Sequence, residues 1–337
     1  MNRLIWLHHR SGRSILVLLL FGVSVFHFLA ADAQRFFLTD IFSTVLIVAL
    51  FIIQSLFLKL FLETSDLREP RSSWRNLVAR LGFLQPLVFS IVFLSVQLLT
   101  IRLRGFERLV SLVEDPQSFA YYSLALQISD PAIYVHEWLA LMQVPLLYWG
   151  GHLATHLPGY PLLIYLGFQI FGRSPQSVIW LVTVLSASAT FPLFYLVRRV
   201  YGSRAAALSC VLYSWTPAIS LDLPYMDLTV TVFILTSLLL FLKSLESNGK
   251  KSYSILGGLV LALAVLLTFI SAVLLVLVAI IAVCTDGRRD AFRLLFFLCG
   301  FFLPYLVLEL FLGKPILEAA SWALKTNQWF YQHLHSL

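Results

Sequence analysis

Apolar runs long enough to cross a lipid bilayer recur along nearly the whole of this 337-residue chain. A spanning helix needs about 20 mostly apolar residues. Charged residues make up only 12% of the chain, which is about half the share typical of a soluble domain. We therefore predict an all-α polytopic membrane protein with about nine transmembrane helices and no separate soluble domain. The predicted spans are 15–33, 38–58, 81–101, 176–197, 205–221, 228–243, 253–269, 271–285 and 292–312.

The distribution of basic residues predicts how the chain is oriented. The net charge is +7, which in a soluble protein would point to nucleic acid, but here the position of the charges matters more. With a cytoplasmic amino terminus, 17 of the 24 lysines and arginines fall on the cytoplasmic side. The positive-inside rule favours this orientation. We expect the protein to contact membrane lipids and no nucleic acid.

A proline-containing segment, 157–171, is predicted to lie at the outer membrane interface. If it crossed the bilayer, every later helix would be inverted and the basic clusters that follow would face outward, against the positive-inside rule. Pro158 and Pro161 stand near its start, where a helix tolerates missing backbone donors. Tyr160 and Tyr165 suit a headgroup-level position. An ordinary spanning helix with a proline-containing start remains the alternative.

This orientation leaves one long extracytoplasmic segment, 102–175, between the third and fourth spans. Long connections without structure of their own are uncommon unless functional, so chemistry is expected here. We predict three parts of the chain: residues 1–80 with two extra helices and a cytoplasmic loop, 81–312 as the main module, and 313–337 as an extracytoplasmic tail. The polar residues of the long segment are Glu114, Asp115, Asp130, His136, Glu137, His152 and His156.

Five motifs in sequence resemble a known family. They are EDPQSFAYYSLAL (114–126), HLPGYPLLIYLGFQIFG (156–172), LVRRVYGSRAAALSCVLYSWTPAIS (196–220), PYMDLTVTVFIL (224–235) and GGLVLALAVLLTFISAVLL (257–275). Their order and spacing resemble bacterial membrane glycosyltransferases of the GT-C class, related to protein O-mannosyltransferases and aminoarabinose transferase. The resemblance covers about residues 81–312. It departs where Asp115 is followed by Pro116 instead of Glu, and where Phe269 replaces a lysine that often follows the LT of the hairpin.

The resemblance implies transfer of a sugar from a polyprenyl phosphate to an acceptor at the extracytoplasmic face, in a bacterial cytoplasmic membrane. The acceptor, whether glycan, lipid or protein, is not specified. A carboxylate would take the proton of the attacking hydroxyl, and donor or cationic groups would stabilise the departing lipid phosphate. No cofactor is implied with certainty, and a divalent cation remains open because metal dependence varies within the class.

Asp115 occupies the acidic position of the resemblance and is the predicted catalytic base. It would also cap a short helix that begins at Pro116, a role that aspartate fills well before proline. Both roles are compatible. Glu114 is expected to assist at the substrate or to remain a solvated loop carboxylate, and Tyr121 lies in the aromatic run that follows.

Further substrate-binding candidates come from other segments. His156 is a candidate for binding a lipid phosphate or a sugar, and the alternative is an ordinary histidine at the membrane interface. His152 stands at metal-ligand spacing from His156, but the nearby prolines and glycine argue against one continuous helix through both residues. Asp227 would face a polar cavity or simply cap its helix at the membrane rim. Two arginines outside the third span suit a carrier phosphate or ordinary lipid headgroups. The substrate-binding candidates are Glu114, Tyr121, His156, Tyr160, Asp227, Arg102 and Arg104.

Two other function classes remain open. A catalytically silent member that acts as a membrane partner or scaffold is motivated by the Asp-Pro pair and by Phe269. A lipid or solute transporter is disfavoured, because the centres of the predicted spans carry almost no charged residues, whereas transport sites need polar or broken helices.

Overall fold

The computed structural model describes residues 84–143, 157–216, 219, 223–246, 249–284, 288–312, 318, 321–322 and 325–326. Within these ranges the chain is helical and contains no strand, which agrees with the predicted all-α class. The two predicted spans before residue 60, together with His152 and His156, lie outside the described residues.

Twelve α-helices follow one another through the described ranges. In order they are α1 (Leu84–Arg104), α2 (Phe106–Glu114), α3 (Pro116–Gln127), α4 (Pro131–Gln143), α5 (Gly159–Phe171), α6 (Pro175–Ser188), α7 (Thr190–Tyr201), α8 (Ser203–Ser214), α9 (Asp227–Ser244), α10 (Lys251–Leu267), α11 (Val273–Cys284) and α12 (Arg288–Leu312), with a 3₁₀ turn at Phe269–Ala272 before α11.

Four stretches are long and apolar enough to cross a membrane: Gln85–Arg102, Pro175–Tyr201, Asp227–Ser244 and Asp290–Leu310. The second joins α6 and α7, because Ala189 between them keeps a helical backbone (φ −63°, ψ −21°). Three further apolar helices, Gly159–Phe171, Lys251–Leu267 and Phe269–Cys284, are shorter. Integral membrane character is therefore supported, while the count of nine spans stays a prediction.

The chain divides into two compact units. The first comprises Met1–Gly105 and Val197–Asp222, and the second comprises Phe106–Leu196 and Leu223–Leu337. In the first unit α1 packs against α8, and the rings of Phe93 and Tyr213 stack with centroids 5.2 Å apart. The domain boundaries predicted at residues 80 and 312 stay predictions.

The second unit is organised around α9, α10 and α12, here called the helix trio, in which α10 packs against both partners. Glycines set the spacing of α10 and α12. A Cβ atom on Gly258 would collide with the carbonyl oxygen of Phe297, and one on Gly300 would collide with that of Ile255. Small residues let two membrane helices approach until their backbones touch, which maximises van der Waals contact where lipid supplies no hydrophobic drive.

Hydroxyl groups tie the helix trio together. Ser237 donates to the carbonyl of Gly257 at 2.8 Å, and Tyr305 donates to that of Ala262 at 2.9 Å. At the end with the lysine-rich turn, Ser254 donates to the carbonyl of Arg293 at 2.7 Å. A polar group in an apolar interior is costly unless it is hydrogen-bonded, so these bonds allow hydroxyls inside the packed helices.

The amino-terminal end of α5 lies directly against the carboxyl end of α10. A Cβ atom on Gly159 would meet the carbonyl group of Leu266 and the amide nitrogen of Leu267. Only glycine permits this approach without displacing backbone. With 13 residues, α5 is about 20 Å long, well short of the roughly 30 Å hydrocarbon core of a bilayer.

Candidate functional site

Asp115 joins α2 to α3 and stabilises the start of α3. Its carbonyl accepts the amide protons of Ser118 (3.1 Å) and Phe119 (2.7 Å), and its carboxylate accepts the hydroxyl proton of Ser118 at 2.5 Å. The helix starts at Pro116 as the sequence indicates. Phe119 departs from helical geometry (φ −147°, ψ 61°), so α3 is kinked just after its first turn.

Three predicted substrate-binding residues come together on three different helices. The hydroxyl of Tyr160, at the start of α5, donates to a carboxylate oxygen of Asp227 at 2.8 Å. The rings of Tyr121 and Tyr160 contact each other with centroids 5.1 Å apart. Tyr160 is only 1% exposed, whereas Asp227, in the first turn of α9, is exposed. One carboxylate therefore faces solvent while held by a buried phenol.

Burial and the charge of Asp227 keep these phenols protonated. Burial raises the pKa of Tyr160, and the nearby Asp227 carboxylate raises it further by charge and by accepting its hydrogen bond. The pKa of Tyr121 is raised by burial and by the charge of Asp227. A neutral Tyr160 is a permanent donor at physiological pH, so it orients the carboxylate without competing for its charge.

An aromatic cluster packs against Tyr121, one of these three residues. Its members are Ala120, Leu124, Ile128, Tyr134, Trp138 and Leu157, with Tyr121, Leu162, Tyr165, Leu266, Phe269 and Trp322 packed against them. Tyr134 and Trp138 meet edge to face, with centroids 5.3 Å apart. Within the described residues, the hydroxyl of Tyr134 and the indole nitrogens of Trp138 and Trp322 are buried and have no hydrogen-bond partner.

The remaining predicted site residues are spread more widely. Glu114 ends α2 and is exposed. The pKa of Tyr122 is raised mainly by the burial of its ring, and the charge of Glu114 raises it further. Arg102 and Arg104 form the last turn of α1, in the first unit, where the former is exposed and the latter half-buried. His156 lies outside the described residues. Within the second unit, the structure thus brings together Tyr121, Tyr160 and Asp227.

Residues outside the predicted set also contribute. Tyr134 and Trp138 share one face of α4 through their spacing of four residues, and that spacing is visible in the sequence. Nothing in the sequence showed that Trp322, far along the chain, packs against the same cluster. His136 and Glu137, between them on α4, are exposed, as expected for a surface helix.

No metal site is evident in the described part of the chain, which contains no group of three or more His, Cys, Asp or Glu side chains placed to hold an ion. The hydrogen-bonding groups of the site are instead phenols, indoles and carboxylates. Such a site suits recognition of hydroxyl groups and acceptance of a proton, since ionised carboxylates only accept and indoles only donate.

Comparison with known proteins identifies one family. Residues 155–311 match the family described as dolichyl-phosphate-mannose-protein mannosyltransferase. The match covers less than half of the chain; it contains Gly159, Tyr160 and Asp227 but begins after Asp115. No curated protein and no solved structure matches the chain significantly. Through residues 155–311, the similarity of this integral membrane protein to the GT-C-like mannosyltransferases, which its motifs indicated, is confirmed.

Proposed function

We propose that this GT-C-type membrane glycosyltransferase moves a sugar from a polyprenyl-phosphate donor to an acceptor hydroxyl at the extracytoplasmic face. The contact of Tyr160 with Asp227 and Tyr121 carries the proposal. It joins the family-matching region to α3, the helix that Asp115 begins. The name of the matching family supports a polyprenyl-phosphate sugar as the donor.

In the proposed reaction, the acceptor hydroxyl oxygen attacks the anomeric carbon of the sugar. The bond from that carbon to the phosphate oxygen breaks, and the electron pair leaves with the polyprenyl phosphate. The proton of the acceptor hydroxyl passes to the Asp115 carboxylate. Positioned proton transfer of this kind contributes about 10²- to 10⁴-fold to a rate.

Asp227 and Tyr160 are assigned to substrate positioning. The Asp227 carboxylate is exposed and can accept hydrogen bonds from sugar hydroxyls, because an ionised carboxylate offers about four acceptor positions and Tyr160 uses one. Holding the reacting groups in one geometry can lower the activation barrier by several kcal/mol. The roles of Glu114, His156, Arg102 and Arg104 at the substrate remain part of this proposal.

Replacement of Asp115 by Asn tests the base. Asn caps a helix about as well as Asp, so Asp115→Asn removes the charge while keeping the start of α3. We expect sugar transfer from polyprenyl-phosphate sugars to fall at least about 100-fold, with unchanged thermal unfolding. Wild-type turnover by this variant would remove Asp115 from the mechanism.

Asp130 provides a matched control. It also precedes a proline at a helix start, and its carboxylate accepts the amide proton of Ala132 at 2.8 Å. Asp130→Asn should leave turnover within about twofold, because the cap is preserved and no proton transfer is assigned to it.

The orientation of the site is tested by labelling. Cysteines introduced at Asp130 and Lys250, both exposed, in a variant without Cys210, Cys284 and Cys299, should react with impermeant reagents from opposite sides of the membrane. Residue 130 should react from outside. The reverse result would move the proposed reaction to the cytoplasmic face.

A catalytically silent membrane partner is the second candidate. Phe269, at the position where the family hairpin often carries lysine, packs in the aromatic cluster and supplies no charge for a phosphate. Absence of turnover with every polyprenyl-phosphate sugar tried, combined with stable co-purification of a defined glycosyltransferase, would favour this candidate.

A further inference from the structure

Three buried donors of the aromatic cluster lack a protein partner within the described residues: the Tyr134 hydroxyl and the indole nitrogens of Trp138 and Trp322. Tyr134 is 7% exposed and Trp138 is 3% exposed. Native proteins leave few buried polar groups unsatisfied, and each exception calls for an explanation. Three of the seven such atoms in the described part of the chain lie in this one cluster, a concentration that acceptors supplied by another molecule would explain.

The donors restrict what that molecule presents. An indole nitrogen donates and never accepts, and a phenol donates one proton. The ligand must therefore offer several acceptor oxygens within one small region. Hydroxyl-rich rings and phosphates both meet this condition.

Charge separates the two possibilities. The described members of the aromatic cluster include no charged side chain, and the neighbouring charge is negative, since the Asp227 carboxylate acts on Tyr121. A phosphate brought among these described residues would meet repulsion from Asp227 and would lose its hydration with no described cation beside it. A neutral ring bearing hydroxyls avoids both penalties.

The aromatic composition of the cluster also favours a ring. Tyr134, Trp138, Phe269 and Trp322 supply flat apolar faces beside the donors. Tyrosine and tryptophan combine an apolar body with a polar tip, which matches the alternation of C–H faces and hydroxyl edges on a pyranose.

We propose that the aromatic cluster binds the sugar ring of the lipid-linked donor, whose oxygens accept hydrogen bonds from Tyr134, Trp138 and Trp322. The inference rests on the proposed function and adds that the lipid phosphate lies outside the cluster. The three donor atoms have no solvent contact, so binding of the ring requires side chains of the cluster to move.

Binding of two lipids to the purified full-length protein tests this proposal. The probes are polyprenyl phosphate carrying mannose and the same lipid without a sugar, and the measured quantity is the ratio of their dissociation constants. We expect the wild type to prefer the sugar-bearing lipid. Tyr134→Phe and Trp138→Phe should each reduce that preference about fivefold to tenfold, as loss of one hydrogen bond predicts, without changing affinity for the bare lipid.

Thermal unfolding without lipid separates a ligand-binding role from a structural one. Tyr134→Phe removes an unpartnered buried hydroxyl and should leave Tm unchanged or raise it, while sugar binding weakens. Tyr305→Phe is the control, because its hydroxyl donates to the Ala262 carbonyl; it should lower Tm and leave the lipid preference unchanged.

Three results would count against the inference. If the wild type binds both lipids equally, or if neither variant changes the preference, the aromatic cluster does not hold the sugar, although the proposed function stands. If the wild type binds neither lipid, the proposed function fails and this inference fails with it.

Discussion

The helix trio and the aromatic cluster differ in how their buried hydroxyl groups are paired. In the helix trio, the hydroxyls of Ser237, Ser254 and Tyr305 each donate to a carbonyl of a neighbouring helix. In the aromatic cluster, the polar atoms of Tyr134, Trp138 and Trp322 are buried without a partner among the described residues. An unpaired buried donor costs about 1–3 kcal/mol. In the helix trio, Nη1 of Arg293 on α12 is also buried without a partner among the described residues, so the contrast concerns hydroxyl groups, and it supports the binding role proposed for the aromatic cluster.

Backbone proximity is the feature that the two regions share. Gly258 and Gly300 bring α10 against α12, and Gly159 brings α5 against the end of α10. Substitutions at these glycines should therefore show whether the aromatic cluster depends on the helix trio for its position.

The largest effect is expected for Gly258→Ala. The added methyl group would meet the Phe297 carbonyl, so α10 and α12 must separate along their contact. We expect a loss of about 3 kcal/mol of stability, measured by unfolding of the purified protein in detergent.

Leu263→Ala is the control for that substitution. Leu263 lies on the exposed face of the same helix, at 48% exposure, and its truncation should cost much less. Equal losses for the two variants would contradict the backbone contact between α10 and α12.

A smaller effect on stability, but a direct effect on activity, is expected for Gly159→Ala. The methyl group would meet backbone at Leu266 and push the start of α5, with Tyr160, away from α10. We expect about 2 kcal/mol of destabilisation and about a 100-fold loss of turnover, since a displacement of about 1 Å in a site can cost that much.

Gly167→Ala on the same helix is its matched control. A Cβ atom there meets only the end of the Leu181 side chain at 2.9 Å, which can rotate away. If Gly159→Ala behaves like Gly167→Ala in a turnover assay, the close approach of α5 to α10 does not position the site.

The smallest effect on stability is expected for Tyr160→Phe, which removes the hydrogen bond to Asp227. Because Asp227 is exposed, water replaces the lost donor, and the cost should be about 1 kcal/mol. A double-mutant cycle with Asp227→Asn measures the coupling directly, and we expect at least about 0.5 kcal/mol. A coupling energy of zero would show that the hydrogen bond between Tyr160 and Asp227 does not contribute to stability.

Tyr160→Phe also sharpens the contrast between the two tyrosines of the site. Tyr160 has a partner and Tyr134 has none within the described residues, so the same chemical change should lower stability at the former and preserve or raise it at the latter. Reversed signs would contradict the assignment of the aromatic cluster to ligand binding.

Local signals in the sequence predicted several parts of this arrangement. The Asp-Pro pair at Asp115 indicated the start of α3, and the apolar run beginning after Asp227 indicated α9, which the structure extends by one residue at each end of 228–243. Both features depend on neighbouring residues. For the same reason the proline-containing start of α5 was recognisable, although its predicted interfacial position is not tested.

Contacts between distant segments were not predictable in this way. The sequence of α4 showed the spacing of Tyr134 and Trp138, but not that these side chains pack in one cluster with Ala120 and Leu124 of α3. The packing of Trp322 against them also has no local signal. Conversely, the sequence predicted both Asp227 and Tyr160 as substrate-binding residues, but only the folded structure shows the hydrogen bond between them.

Gly159 has one further consequence. Where two main chains touch with no side chain between them, a movement cannot be absorbed by a change of rotamer. A ligand that shifts Tyr160 must also shift the carbonyl of Leu266, and with it the 3₁₀ turn that leads into α11. Occupancy of the site would then be transmitted through the main chain to α11.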